Sequence, residues 1–349
     1  MKKCASFDDV LVVPGFSDIT SRSEIDLSSR LGSLEMSLPI VSSPMDTVTE
    51  SPMASAMSFL GGLGIIHRYN SPTEQAVLVA DSFSSLKDAE GGRTPNIGFA
   101  VGVGEDMIER ARRCIRAGAS LVCIDVAHGH HALVRHALKT LRNTFGDTVH
   151  IMAGNVATRE GYEDLARWGA DSVRVGIGGG SICSTRIQTG HGVPTLQSVI
   201  DCASSELSGT VPIIADGGIK NSGDIVKAIA AGADFVMLGS LLSGTDQSPG
   251  EKIQRGDNLY KEYRGMASER AQVNWRGRVA SREGVAALVP YKGSVEDIIE
   301  SLVAGIRSGL SYSGCRTISE FHSKASMIFQ TSSGLSESNT HVLSRGIKI

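Results

Sequence analysis

Residues 150–175 read HIMAGNVATREGYEDLARWGADSVRV and contain one complete unit of a repeating pattern. Two short β-rich runs, 150–153 and 172–175, flank a segment whose apolar residues recur at helical spacing over 160–168. The phrase Trp168-Gly169-Ala170-Asp171 predicts a helix that ends at a glycine and returns at once to a strand. A strand, a helix and a second strand in this order predict a pair of parallel strands.

The same pattern continues in both directions along the chain. Eight β-rich runs are present, at 38–41, 63–66, 97–101, 121–124, 150–153, 172–175, 212–215 and 235–238. Segments with helical spacing lie between them, including 107–117, 132–145, 160–168, 196–202 and 225–231. Eight such units close a barrel, so the predicted fold class is α/β, a (β/α)8 TIM barrel, in one domain over 1–330. The alternative is an open doubly wound sheet, which should carry a nucleotide fingerprint after its first strand, and none is found there.

Two segments fall outside this count. Residues 265–289, called the flap below, are polar and rich in Arg and Gly, and they predict a long mobile loop after the eighth strand. Residues 331–349 form a tail whose Ser-rich composition predicts flexibility.

The composition excludes several classes of protein. The 349 residues carry a net charge of -3, so no excess of positive charge predicts a nucleic-acid partner. No apolar run reaches the ~18 residues needed to span a bilayer, so we expect no membrane partner and a cytoplasmic location. The six cysteines include no Cys-x-x-Cys pair, which indicates neither a structural zinc site nor a disulfide framework.

A glycine-rich loop follows the sixth run. It reads GIGGGSICSTR over 176–186 and contains Cys183 between hydroxyl residues. A barrel places this loop at its catalytic face, where backbone N-H groups can bind a phosphate and carbonyls can bind a monovalent cation. The same loop could hold a reactive thiol near a ligand; the alternative is a turn with a buried, inert cysteine.

Polar residues also end the neighbouring runs. Asp216-Gly217-Gly218 and Gly239-Ser240 end runs seven and eight, where barrels commonly bind phosphate. Asp216 could then accept hydrogen bonds from a ribose; its alternative role is to cap the next helix, for which Asn221 is better placed. Asp125 and Asn155 end runs four and five and could face a ligand, or form Asx turns.

The cysteine loop closely resembles the active-site loop of the IMP dehydrogenase and GMP reductase family. Other phrases of the sequence agree in order over nearly the whole chain: FDDVL at 7–11, SPMDTVTE at 43–50, MAGNV at 152–156, ADGG at 215–218, YRGM at 263–266 and VPYKG at 289–293.

The resemblance implies a mechanism and a set of ligand contacts. The Cys183 thiolate would attack C2 of a purine nucleoside monophosphate, and hydride would move between C2 and a nicotinamide through a covalent thioimidate. Implied substrate contacts are Ser181, Gly217, Gly218, Gly239 and Ser240 for the phosphate end, Asp216 for the ribose, and Gly265, Met266 and Gly284 for the base. Implied cofactor contacts are Asp125, Asn155, Thr185, Ser308 and Tyr312. A potassium ion would be held by the carbonyls of Gly178, Gly180 and Cys183, and the family implies a homotetramer.

Two reactions of the family compete. A dehydrogenase converts IMP to XMP with NAD and needs a water-activating base, supplied in that branch by an Arg-Tyr pair on the flap; most members also carry inserted CBS motifs. Here run two is followed by run three without room for that insert, and the flap has no Arg-Tyr dipeptide. Both absences favour GMP reductase, which would use NADPH, with Thr185 and Glu283 assisting loss of ammonia.

Other features point toward the dehydrogenase branch. The phrases at 43–50, 61–67 and 128–130 resemble that branch, and Ala267, Ala280 and Arg282 replace residues typical of reductases. Arg276 or Arg278 could then activate water in a small dehydrogenase; the alternative is that both are solvated loop arginines. A non-catalytic nucleotide-binding protein would need an unreactive Cys183, and a flavin-dependent barrel would have no use for this cysteine loop.

Overall fold

The computed structural model describes residues 1, 3–86, 95–279, 283–338 and 340. Its eight central strands form a closed barrel in which every neighbouring pair is parallel, and the eighth strand pairs with the first through Val236 and Ile40. In chain order these barrel strands are Ile40–Ser42, Leu63–Ile66, Ile97–Val101, Leu121–Asp125, His150–Val156, Ser172–Val175, Ile213–Asp216 and Phe235–Leu238. The predicted TIM barrel and all eight of its strands are therefore confirmed.

Side chains alternate between two apolar cores because successive strand residues point to opposite faces. In barrel strand two, Leu63 and Ile65 belong to the cluster inside the barrel, and Ile66 belongs to the cluster between the barrel and its helices. Gly64 faces the helix side, where an added Cβ would lie 2.5 Å from the Cα atom of Ala54. The first helix can therefore pack directly on the strand backbone.

Helices surround the barrel. They are α1 Ser51–Phe59, α2 Pro72–Ser84, α3 Met107–Arg116, α4 Ala132–Phe145, α5 Arg159–Arg167, α6 Thr185–Thr189, α7 Thr195–Ala203, α8 Ser222–Ala230, α9 Glu269–Arg276, α10 Val295–Tyr312, α11 Ile318–Lys324 and α12 Ser332–Glu337. The expected glycine returns are confirmed, since Gly118, Gly169 and Gly232 all have φ near +105° (108°, 108° and 103°). Helix α8 begins earlier than the apolar spacing indicates because Asn221 caps it, its Oδ1 accepting the Asp224 N-H at 2.9 Å.

Further strands and single helical turns lie outside the barrel. A hairpin of Ser29–Leu31 and Leu34–Met36 places Leu31 and Met36 in the barrel's inner cluster and closes its amino-terminal end. The remaining pieces are the antiparallel pair Val10–Val12 and Met327–Phe329, and the 3-10 turns Phe7–Asp9, Arg22–Glu24 and Glu206–Gly209. No helix in the described part of the chain is long and apolar enough to cross a membrane.

The prediction that the flap is a loop throughout was wrong. It contains α9, which begins after the N-cap Ser268 and buries Ala271. Its end, strand Ala286–Pro290, pairs with Asn258–Arg264, which in turn pairs with Ile253–Arg255. The polar composition hid these elements because their packing partners lie elsewhere in the chain. In the tail predicted to be flexible, α12 is formed, and residues 339 and 341–349 lie outside the described residues.

Candidate active site

A cavity of about 310 Å³ opens at the carboxyl ends of the barrel strands. Fifteen of the sequence-predicted site residues line it: Asp125, Asn155, Gly178, Gly180, Ser181, Cys183, Thr185, Asp216, Gly217, Gly218, Gly239, Ser240, Gly265, Met266 and Glu283. The parallel strands all end at this face, so loops that are distant in the sequence meet there.

Cys183, Thr185 and Glu283 form a hydrogen-bonded chain. The Cys183 thiol donates to Oγ1 of Thr185 at 3.2 Å, and the Thr185 hydroxyl donates to Oε2 of Glu283 at 2.9 Å. Thr185 begins α6 two residues after the cysteine, so its position is set by the helix that the loop enters. The arrangement connects the thiol to a carboxylate through one hydroxyl, a path along which a proton can pass.

Backbone pairing brings Glu283 to the cysteine loop. Ser184 N-H donates to the Glu283 carbonyl at 3.1 Å, and Val285 N-H donates to the Ile182 carbonyl at 3.0 Å. Gly284, which does not itself line the cavity, forms a bridge with Cys183 and allows Gly265 to approach, since a Cβ on Gly265 would lie 3.2 Å from the Gly284 Cα. The end of the flap is thus part of the site.

Arg174 lies beneath the cavity and joins two of the predicted acidic residues. Its Nη1 donates to Oδ1 of Asp125 at 2.7 Å and its Nη2 donates to Oδ2 of Asp216 at 2.8 Å. Asn155 Nδ2 donates to the same Oδ2 of Asp216 at 2.8 Å. Because Oδ2 already accepts two hydrogen bonds, Oδ1 is the Asp216 oxygen better placed to accept from a ligand hydroxyl.

The charge on Arg174 is maintained by its surroundings. Burial by itself would lower the pKa of the guanidinium, but the carboxylates of Asp216 and Asp125 oppose it, and the pKa lies well above its ordinary value. Burial raises the pKa of the Cys123 thiol to about 11, so this second cysteine stays protonated and unreactive.

Tyr263 lies where the loops predicted to bind phosphate meet. Its hydroxyl hydrogen-bonds Ser181, and it would lie 3.0 Å from a Cβ added to Gly239. Burial raises the pKa of this phenol to about 12, so it remains a neutral donor. Lys292 Nζ donates to the Ser240 carbonyl at 2.6 Å and so holds the turn after barrel strand eight.

A family model described as IMP dehydrogenase / GMP reductase domain matches residues 4–341. The chain belongs to this family. It is 38% identical to inosine-5'-monophosphate dehydrogenase of Cryptosporidium parvum, over 97% of this chain and 95% of that protein. It is 32% identical to GMP reductase of Leishmania major, over 97% of both chains. It also resembles the crystal structure of a Trypanosoma brucei GMP reductase in complex with guanosine 5'-monophosphate, with TM-score 0.91 and 30% identity, over 100% of this chain and 99% of that one.

Chain length does not separate the two activities within the family. The alignment with the Cryptosporidium dehydrogenase spans 385 positions, whereas that with the Leishmania reductase spans 477, well beyond the 349 residues here. A relative that is named a dehydrogenase can therefore be short, and a relative that is named a reductase can carry an inserted segment. The missing insert, taken alone, does not identify the reaction.

Some predicted residues of this family member lie away from the cavity. Ser308 and Tyr312 are on α10, and neither lines it. Arg278 is exposed and is absent from the cavity lining among the residues described. Positions 280–282, which include Ala280 and Arg282, and the side chain of Arg276 lie outside the described residues.

The sequence reasoning missed several side chains that line the cavity, and those with polar or charged groups include Arg68, Tyr69, Arg174 and Tyr263. Arg174 carried a signal, because a charged residue inside the apolar run Ser172–Val175 must find a buried partner. Tyr263 belongs to the phrase YRGM at 263–266, which resembles the family, but the sequence did not predict a ligand contact for its side chain. Arg68 and Tyr69 follow barrel strand two, and nothing in their local pattern distinguishes them from an ordinary loop.

Proposed function

We propose that this enzyme is a GMP reductase, which converts GMP to IMP and ammonia with NADPH. The observation that carries the proposal is the chain from the Cys183 thiol through Thr185 to Glu283. It supplies the two things the reaction needs, a thiolate and a proton for the leaving amine.

The direction of the hydrogen bonds suggests where the proton goes. The thiol proton passes to the Thr185 oxygen as the Thr185 proton passes to Glu283, leaving a Cys183 thiolate and a protonated carboxyl. The thiolate forms a bond to C2 of GMP, and the C2–N bond breaks as Glu283 protonates the departing amino group to ammonia. A hydride supplied by the nicotinamide when it is bound would then displace the Cys183 sulfur from C2, which would release IMP and regenerate the thiolate.

The nucleotide's orientation follows from the cavity lining. The phosphate would meet the amides of Ser181, Gly217, Gly218, Gly239 and Ser240, with the Tyr263 phenol as a further donor. The ribose would meet Oδ1 of Asp216, and the base would meet Gly265 and Met266. Gly284 does not line the cavity and is included because the family resemblance implies it. These contacts would bring C2 close to Cys183.

NADPH supplies the hydride when bound, and this chain would position it. Asp125, Asn155 and Thr185, which we propose as contacts of the cofactor, line the same cavity. Ser308 and Tyr312 could reach a dinucleotide only from a neighbouring copy, as in the homotetramer that we propose. Exposed apolar side chains such as Phe16 and Phe329 agree with burial between copies.

A potassium ion is a further part of the proposal. The carbonyls of Gly178, Gly180 and Cys183 belong to one loop. Among the described residues, the Gly180 carbonyl accepts the Cys183 N-H at 3.1 Å and no other hydrogen bond, which leaves a lone pair. Neutral carbonyl ligands suit a monovalent cation. The Arg186 side chain packs against Gly178, so its positive charge opposes binding of a cation in this loop. The potassium ion is therefore tested separately in the predictions below.

IMP dehydrogenase is the second candidate. The names of most of the similar relatives favour it, including that of the short Cryptosporidium protein. It would require a base that takes a proton from water. Glu283, acting through Thr185, is the candidate that lines the cavity, whereas the flap residue Arg278 does not line it.

Two absorbance assays at the near-ultraviolet band of reduced nicotinamide distinguish these reactions. We expect loss of NADPH with GMP, abolished in Cys183→Ala, and no formation of NADH with IMP and NAD. Formation of NADH with IMP, and no reaction with GMP, would overturn the reductase in favour of the dehydrogenase.

A further inference from the structure

Tyr69 lies between the candidate active site and a second cavity. It follows barrel strand two and lines both the site cavity and a neighbouring one of about 540 Å³ beneath α9. Neither the proposed chemistry nor the nucleotide contacts described above use it. Its two ends make different contacts, one to the backbone of the flap and one to α9.

The hydroxyl end fixes one peptide of the flap. Tyr69 Oη donates to the Met266 carbonyl at 2.6 Å, and Gln272 Nε2 donates to the next carbonyl, that of Ala267, at 2.9 Å. The peptide that joins Met266 to Ala267 is planar, so directing its carbonyl at Tyr69 directs the Ala267 N-H the opposite way. Both residues line the site cavity, and the Ala267 N-H donates to no other described residue.

The ring end contacts the flap helix. Tyr69 stacks on Trp275 of α9 with ring centroids 4.4 Å apart and planes 10° apart. The Arg68 guanidinium lies 5.6 Å from the centroid of Tyr69 and 5.8 Å from that of Trp275. Stacking and cation–π contacts therefore hold the phenol in place while Trp275 of α9 packs against Tyr69 in the loop after barrel strand two.

We propose that Tyr69 is a positioning residue for recognition of the 6-oxo group of the purine. It aims the N-H of the 266–267 peptide at that oxygen, and Trp275 fixes the Tyr69 ring in the required position. The inference rests on the proposed function, in which the Met266 segment meets the base. A 6-amino group would present hydrogens to the same N-H, so the aimed donor also selects against 6-aminopurines.

Two variants test the contacts of the two ends of Tyr69 separately. Tyr69→Phe keeps the stack and removes the hydroxyl, whereas Trp275→Leu keeps the hydroxyl and removes the stack. Tyr162→Phe is the matched control, because the Tyr162 hydroxyl also donates to a carbonyl at 2.6 Å, that of Val211, far from the cavity. Calorimetry measures binding of GMP, IMP and AMP, and steady-state kinetics give kcat and KM.

Tyr69→Phe should weaken binding of both GMP and IMP by about 5- to 10-fold and leave AMP binding within about 2-fold. The KM for the reacting nucleotide should rise with kcat nearly unchanged, and Trp275→Leu should act in the same direction. Tyr162→Phe should lower the unfolding temperature without changing any nucleotide affinity. Equal weakening for all three nucleotides, or a fall in kcat at constant KM, would overturn the proposal.

The binding measurements do not depend on the direction of the reaction, because GMP and IMP share the 6-oxo group. If the wild-type enzyme oxidises IMP, the proposed reductase activity is wrong, but the binding measurements still test the role of Tyr69. If the wild type binds none of the nucleotides, the proposed function and this inference are both wrong.

Discussion

Oγ1 of Thr185 lies 3.2 Å from Sγ of Cys183, close enough to accept the thiol proton. Thr185 passes its own hydrogen to Glu283, so the hydroxyl is both acceptor and donor in one chain. In the proposed mechanism, this one side chain would control proton movement at the Cys183 thiol.

The first prediction concerns the carboxylate at the end of this chain of hydrogen bonds. Glu283→Gln should lower kcat for GMP about 10²- to 10⁴-fold, because an amide can neither accept the thiol proton nor deliver one to the departing amino group. KM should change little, since the base contacts come from the flap backbone. Rapid-quench measurement of ammonia release tests this. A kcat within about 2-fold of the wild-type value would remove Glu283 from the proton path.

Thr185→Val tests the hydroxyl that connects the Cys183 thiol to the Glu283 carboxylate. The variant keeps the size of the side chain but breaks the contact between Cys183 and Glu283, so we expect kcat to fall at least about 10-fold. Thr185→Ser should restore most of the rate because the hydroxyl returns. Equal rates in the Val and Ser variants would show that the hydroxyl carries no proton.

Arg174→Met should destabilise the fold. It leaves the carboxylates of Asp125 and Asp216 without their guanidinium, and breaking such a buried pair costs about 3–5 kcal/mol of unfolding free energy. Urea denaturation measures the change. Arg113→Met, which removes an exposed ion pair with Glu109, should cost no more than about 1 kcal/mol. A similar small loss for both variants would contradict the structural role of Arg174.

His150 should make stability sensitive to acid. Burial lowers the pKa of its imidazole from 6.5 to about 4, with a smaller opposing effect of Asp171. The unfolded chain therefore binds the proton first, and stability present above pH 6.5 is lost as the pH falls toward 4. The expected loss is on the order of 3 kcal/mol.

His150→Gln can keep the hydrogen bond to Ser172 and should flatten that part of the stability curve. The exposed His191 provides the control substitution His191→Gln. Unfolding curves from pH 7 to pH 4 that coincide in shape for the wild type and His150→Gln would disprove the assignment.

Replacing potassium by lithium tests the cation proposed for the cysteine loop. A smaller ion fits carbonyls spaced for potassium poorly, so kcat should fall about 5-fold or more and recover when potassium returns. A rate that is the same in both salts would show that the Arg186 charge suffices for the loop.

The barrel and most of the site residues could be predicted because their signals are local. Strand alternation, helical spacing and glycine returns repeat within each unit, and each unit encodes its own geometry. Once eight parallel strands are established, the residues at their carboxyl ends must share one face, so Asp125, Asn155, Cys183 and Asp216 were brought together without knowledge of any contact.

The sequence by itself thus determined the barrel, its catalytic face and the family to which the chemistry belongs. Only the tertiary structure decided that Arg174 joins two carboxylates, that the flap contains a helix, and that Tyr69 meets Met266, a residue 197 positions away. Such contacts depend on which distant side chains meet after the barrel closes, and their energies come from burial and pairing that no local pattern records.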